Sequence, residues 1–398
     1  MTSAPAVGLY VHVPFCVSLC PYCDFVVVAG AAARGPRSRV AAFLEALETE
    51  IRLRAPASPV GLRSLYLGGG TPSLLPAAAI TRLTRLVGEV FGLSADAEVT
   101  VEANPGREER GDPSALREAG VTRISYGAQS LDDGELRRLG RRHRARDVAA
   151  AVLEARQAGV ASINLDLLYD IPGQSLASWT AALEEALSLE PDHLSLYALT
   201  LDDPDAEGLT GPGGDHLPTT AGARRWRGRA RPGQDQDRAA AMYGHAMVRL
   251  AEAGYRSYEI SNWARPGHEC RHNLGYWQRR PIEAVGPGAH AFDGAVRRWN
   301  AARLDGYLAA LVPPDGSSPR LPPGGEERLE ARTELAEQAI LGLRLAEGID
   351  QLLADAPTVA PAVAWAREAG LAERTAQGRV RLTARGRLLS NEVFARLV

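Results

Sequence analysis

The sequence predicts an α/β fold: an incomplete (β/α)6 barrel followed by a small C-terminal domain of winged-helix type. Three observations carry this. Six apolar runs of strand length, GLYVHVPF (8–15), SLYLGG (64–69), EVTVEANP (98–105), RISYGAQS (123–130), SINLDLLY (162–169) and HLSLYALT (193–200), recur with helical stretches between them. Strands alternating with helices make right-handed βαβ units and a parallel sheet, and six such units leave a barrel open. The Pro/Gly-rich break VPPDGSSPRLPPGGEE (312–327) reads as a linker. Beyond it the pattern runs helix, short strand, Gln-Gly turn, strand, helix to residue 398, the succession of a winged helix.

Taken in order, the first strand ends at a proline and delivers a cysteine-rich loop. The stretches VAAFLEALETEIRLR (40–54), DVAAAVLEARQAG (147–159) and SWTAALEEALSLE (178–190) have the spacing of helices with one apolar face. From 201 to 238 the chain is rich in Gly, Pro and Arg without steady periodicity, which predicts a mobile surface loop or lid. The organisation expected is a partial barrel over 1–240 with a loop insertion at 201–238, an extension over 241–311, the linker at 312–327, and the winged-helix-like domain over 328–398. A winged helix without a dense basic recognition helix points to packing or partner docking rather than DNA.

Composition agrees with a cytosolic globular protein. Charged residues make up 23% and the formal net charge is −3, so no global basic footprint for nucleic acid exists. All 45 basic residues are Arg, which beside the heavy use of Ala, Gly and Pro reads as genome composition. No apolar stretch approaches the ~18–20 residues that span a bilayer, and the N-terminus lacks a signal-peptide pattern.

Cysteine placement is the most informative chemical feature. Cys16, Cys20 and Cys23 stand at C-x3-C-x2-C, and Cys270 is the fourth cysteine of the chain. A disulfide scaffold would need an even, distributed set in a short secreted chain, and a structural zinc site a fourth ligand at similar spacing. Three thiolates suit a [4Fe–4S] cluster with one iron left open; zinc or reactive thiols are the alternatives from spacing alone. The loop follows a strand, and site residues in α/β barrels gather at the C-terminal ends of strands. Gly68 to Thr71, Glu102, Gln129, Asp166 and Tyr197 all fall at such ends.

The motif Y-x-H-x-P-F-C-x-x-x-C-P-Y-C (10–23) resembles the radical S-adenosyl-L-methionine (SAM) superfamily, in particular its coproporphyrinogen-oxidase-like branch. GGGTPSLL (68–75), VEANPG (101–106), GAQSLDDGELRRLGRRH (127–143), NLDLLYDIPGQ (164–174) and YEISNWARPGHECRHNLGYW (258–277) resemble that branch too. The resemblance implies a [4Fe–4S] cluster on Cys16, Cys20 and Cys23, with the open iron chelated by SAM. It implies SAM contacts at Tyr10, Tyr22, Gly69, Gly70, Thr71, Glu102, Gln129, Arg141, Asp166 and Ala198. Glu102 and Asp166 suit an ammonium or ribose hydroxyls, Arg141 suits a carboxylate, and the glycine turn offers unobstructed backbone N–H groups.

The H-N-x-x-Y-W pattern of CRHNLGYW (270–277) resembles the haem-binding signature of the radical SAM haem chaperones, the HemW family. It implies haem held by His272, with Tyr276 and Trp277 as flat apolar surface. Two departures from the porphyrinogen-oxidising enzyme favour that branch. Phe25 stands where that enzyme has a further cysteine, and only nine residues precede Tyr10, where that enzyme has a long extension. The function expected is therefore a haem chaperone delivering haem to acceptors such as cytochromes, with peripheral membrane contact admitted. The alternative is an oxygen-independent coproporphyrinogen III dehydrogenase.

Overall fold

The structure, a computed structural model, describes residues 5–29, 38–201, 209–211 and 213–398. The six expected strands form: β1 (Gly8–Val13), β2 (Leu62–Gly69), β3 (Leu93–Ala103), β4 (Arg123–Gln129), β5 (Ser162–Tyr169) and β6 (His193–Ala198). Each pairs in parallel with the next. Later segments extend the sheet at both edges. β7 (Arg256–Ser257) pairs antiparallel with β8 (Asn262–Ala264), which in turn adds antiparallel to β6. β9 (Ile282–Val285) joins β1 in parallel, and β10 (His290–Phe292), β11 (Val296–Asn300) and β12 (Gly324–Arg328) follow antiparallel. The order is β12-β11-β10-β9-β1-β2-β3-β4-β5-β6-β8-β7, a curved partial barrel.

The alternation of side chains along each strand decides what faces where. Leu9, Val11, Leu65, Leu67, Val99, Val101, Ile124, Ile163, Leu165, Leu194 and Leu196 point outward into one continuous apolar core. Helices close over that core because their apolar residues recur every three or four positions. In α1 (Ser38–Leu53) these are Phe43, Leu47 and Ile51, and in α2 (Ala77–Val90) they are Ile80, Leu83 and Val87. Burying each such side chain contributes about 1.5–3 kcal/mol. Truncating Leu83 to Ala in this packed layer costs about 2–5 kcal/mol. The crossover helices α3 (Ala145–Gln157) and α4 (Leu176–Ser188) continue the layer, and α4 starts at Ser175, whose side chain accepts the N–H of Ser178.

Two expectations are corrected. The interval read as a loop insertion, 201–238, contains α5 (Ala221–Ala230), started by the Thr220 side chain on the N–H of Ala223, and the first turn of α6 (Gln236–Glu252). Its arginine content hid the pattern because one arginine of α5 is buried rather than solvated. Residues 202–208 and 212 of that interval lie outside the described residues. The linker read at 312–327 ends inside β12, where Glu326 and Glu327 pair in register with Arg298 and Arg297. C-terminal to it, α8 (Ala331–Arg344), further short helices and the hairpin Ala372–Arg374/Val380–Leu382 share a separate small core.

Candidate functional site

The inward positions of the same strands are polar, whereas a filled barrel would carry branched apolar side chains there. Tyr10, Tyr66, Glu102, Arg123, Ser125, Asn164, Asp166, His193 and Ser195 instead border a cavity of about 800 Å3. It reaches from the cysteine loop at the C-terminal ends of the strands to His272 near their N-terminal ends.

At the mouth, Cys16, Cys20 and Cys23 line the cavity as free thiols. Cys16 Sγ is 3.4 Å from Thr71 Oγ1, and an Arg141 Nη donates toward Cys20 Sγ at 3.5 Å. Burial pushes the Cys16 thiol up to about 11 and the Cys23 thiol higher still. Thiolates at these positions therefore need added positive charge, which bound iron supplies. Three soft donors on one loop beside a guanidinium fit an iron–sulfur cluster. Among the described residues no three His, Cys, Asp or Glu side chains converge on a single metal-ion position.

Arg227 of α5 was not singled out from the sequence, yet it organises this loop. It is only 5% exposed and donates to the carbonyls of Pro21 (3.2 Å), Tyr22 (3.4 Å) and Cys23 (3.1 Å). No local signal marks it, because the contact spans some 200 residues of chain. Tyr22 lines the cavity and lies 6.4 Å from the Trp226 ring.

Gly69 and Gly70 line the cavity, but the N–H groups of the glycine turn are not free: Gly69 N–H donates to Glu102 Oε2 (2.9 Å), Gly70 to Val13 O (2.8 Å) and Thr71 to Phe15 O (2.7 Å). Gly69 has φ +106° and its missing side chain would overlap His12. A Cβ on Gly70 would stand 2.6 Å from Phe15 O. The turn is thus a clasp for the cysteine loop, and Thr71 lies outside the cavity lining.

Glu102 also accepts the Tyr66 hydroxyl at 2.7 Å, and burial followed by the charge of Asp166 lifts its carboxyl to about 7. Asp166 is raised by burial, while Asn164 (2.8 Å) and Ser125 (3.1 Å) donate to it. Gln129 sits at a bulge between β4 and β5 with φ +65°, a backbone state that costs a non-glycine residue about 1 kcal/mol or more and that gathers at functional sites. Arg141, expected to meet a ligand carboxylate, bonds Asn104 Oδ1 and Gly127 O besides facing Cys20. Tyr10 and Ala198 both line the cavity.

The floor is built by α7 (Arg271–Trp277) and the residues before it. Glu98, mid-way along β3 and in register with Ser64 of β2, accepts the N–H groups of Arg271 and His272 at 3.1 Å each, an acidic side chain at a helix start. Cys270 is buried there, its Sγ 3.4 Å from Glu98 Oε1. His272 is 1% exposed and stacks on Tyr66 at 5.1 Å. With the proton on Nδ1, that nitrogen donates to Ser64 Oγ (2.9 Å) and Nε2 accepts the Tyr276 hydroxyl (3.2 Å). Burial lowers its pKa to about 3, so the ring is neutral and keeps a lone pair. His272 and Tyr276 line the cavity, but Trp277 does not: its ring lies 4.3 Å from the Arg344 guanidinium of the C-terminal domain. Trp277 is therefore corrected from a cavity surface to a link between the floor and that domain.

The radical SAM superfamily profile matches residues 10–186. The protein named "Heme chaperone HemW" of Mycobacterium tuberculosis (strain ATCC 25618 / H37Rv) is 37% identical over 393 residues, covering 98% of this chain and 94% of that protein. Its namesake in Bacillus subtilis (strain 168) is 32% identical over 398 residues, covering 97% of each. The chain belongs to the HemW family. Among solved structures it is similar to the coproporphyrinogen III oxidase HemN of Escherichia coli, with a TM-score of 0.78 and 26% identity over 99% of this chain and 90% of that one. HemW relationship and HemN likeness both extend through the C-terminal domain, whose Arg344, Arg387, Leu388, Ser390 and Asn391 complete the cavity wall.

Proposed function

We propose that this HemW-family chain is a cytoplasmic haem chaperone. In this reading it carries a [4Fe–4S] cluster on Cys16, Cys20 and Cys23, binds SAM and haem, and hands haem to acceptors such as cytochromes, peripheral contact with a membrane included. The observation that carries it is identity of 37% over 98% of the chain to a protein of that name. When bound, the cluster and SAM supply one-electron chemistry.

The chain's own residues supply the setting. Arg227 and the Gly70–Thr71 clasp fix the cysteine loop. Glu102 and Asp166 offer carboxylates to an ammonium or to ribose hydroxyls, and an ammonium there would draw Glu102 to its ionised form. Gln129, Tyr10, Tyr22 and Ala198 border the same space. At the floor, His272 offers iron a neutral imidazole once the Tyr276 hydroxyl turns from Nε2, while Ser64 fixes the ring through Nδ1.

A second reading, the coproporphyrinogen III dehydrogenase, draws on the likeness to HemN. Phe25, 62% exposed at the mouth, brings no sulfur ligand there. Haem titration followed by absorbance, for wild type and His272→Ala, together with a decarboxylation assay on coproporphyrinogen III, separates the two. The chaperone binds haem, loses affinity in His272→Ala with its cluster intact, and releases no carbon dioxide. Catalytic decarboxylation with haem binding indifferent to His272 would establish the dehydrogenase instead.

A further inference from the structure

Arg123, Arg141, Arg344 and Arg387 line the cavity, and three of them are already committed. Arg141 serves Asn104, Gly127 and Cys20. Arg123 donates to Ser162 Oγ (2.8 Å) and His268 O (2.9 Å). Arg344 meets Glu259 Oε2 at 3.0 Å and covers Trp277. Arg387 differs. It is half-buried in the short helix Ala384–Leu388, and its partners are neutral: it donates to Ser257 Oγ at 2.6 Å and to the Tyr243 hydroxyl.

Among the described residues Arg387 has no carboxylate partner. The nearby carboxylate, Glu259, is fully buried and already accepts Ser261 N–H, Asn262 Nδ2 and Arg344. Tyr243, against which Arg387 stands, gives its hydroxyl proton to Ile260 O at 2.7 Å. A guanidinium drawn part-way out of water without counter-charge is costly, and a ligand carboxylate relieves that cost through charge-assisted, bidentate hydrogen bonds. Beside it in the wall lie Leu388 and Tyr197, each 40% exposed. A cation at the edge of an apolar surface suits a flat apolar macrocycle that carries acids along one edge.

We propose that Arg387 is the receptor for a carboxylate of the bound tetrapyrrole, so that the C-terminal domain reads the acid side chains of the cargo. This rests on the haem-carrier reading. SAM also bears a carboxylate, and its expected contacts run from Tyr10 on β1 to Ala198 at the end of β6, so the SAM arm of the titration decides which of the two carboxylates Arg387 serves.

The test is equilibrium titration of the cluster-loaded full chain with haem, with haem dimethyl ester and with SAM, using wild type, Arg387→Ala and Arg387→Lys. Wild type binds haem at least tenfold more tightly than the ester, equivalent to about 1.4 kcal/mol. Arg387→Ala loses at least tenfold for haem and nothing for the ester or SAM, and Arg387→Lys recovers part of the loss. Equal wild-type affinity for haem and ester overturns the proposal even where Arg387→Ala fails to fold. So does a folded Arg387→Ala with wild-type haem affinity, or one that loses SAM instead. A wild-type chain that binds neither tetrapyrrole overturns the haem-carrier reading as well.

Discussion

Adding one methyl group at Gly70 should cost the protein its cluster before it costs SAM binding. The backbone packed around the turn sets that order. An alanine Cβ would lie 2.6 Å from Phe15 O and 2.9 Å from both Phe15 C and Val13 O, all of them backbone atoms that cannot swing aside. The loop leading into Cys16 must move, and that movement strains the Gly70 N–H to Val13 O and Thr71 N–H to Phe15 O bonds. Overpacking costs about 1–3 kcal/mol and each of the two weakened hydrogen bonds about 0.5–1.5 kcal/mol, for a destabilisation of about 2–6 kcal/mol. Gly244→Ala is the control: it lies within α6, its Cβ meets nothing within 4 Å, and helix propensity favours it by about 0.5–1 kcal/mol. Denaturant unfolding, with iron and sulfide analysis after anaerobic reconstitution, reads both variants. A folded Gly70→Ala protein with wild-type stability and full cluster content would refute the clasp.

What the sequence made legible was local. The strands announced themselves through β-branched runs, and the cysteine spacing through three residues on one loop. The polar ladder of Tyr66, Arg123, Ser125, Asn164, His193 and Ser195 is present as alternation within those runs, but alternation alone does not tell an inward face lining a cavity from one facing solvent. Contacts across the chain were not legible. Arg227 reaches the cysteine loop from a segment whose glycines and arginines conceal helical periodicity, and burial of one arginine is decided by the carbonyls it meets. The H-N-x-x-Y-W run hid a second job in the same way. Glu98 turns α7 so that His272 and Tyr276 face inward and Trp277 faces Arg344, a division that depends on an acid 174 residues earlier.

Cys20→Ser should lose the cluster while Cys270→Ser keeps it, because Cys270 is bonded to Glu98 at the opposite end of the barrel; iron analysis showing the reverse would reassign the ligands. Arg227→Met should leave three loop carbonyls without their donor, costing about 2–3 kcal/mol and speeding cluster loss on dilution into chelator; unchanged loss rates would make its contacts incidental. Tyr276→Phe frees Nε2 of His272 and should tighten haem binding about fivefold, the worth of one hydrogen bond near 1 kcal/mol, whereas weaker binding would mean that the hydroxyl itself holds the ligand. Glu102 sets a pH dependence. Its carboxyl rises from 4.5 to about 7 on folding, chiefly by burial. Between those values the folded chain keeps a proton that the unfolded chain has released, so this group's contribution falls as pH rises through the window and is constant above about 7. At about 1.4 kcal/mol per pH unit, the ligand-free protein loses about 3 kcal/mol there. Other groups titrate as well, so the readout is the stability of wild type minus that of Glu102→Gln, which mimics the protonated acid. That difference should drop by about 3 kcal/mol from pH 4.5 to 7 in urea unfolding without SAM. A difference flat across the window would mean that Glu102 is already ionised in the empty cavity.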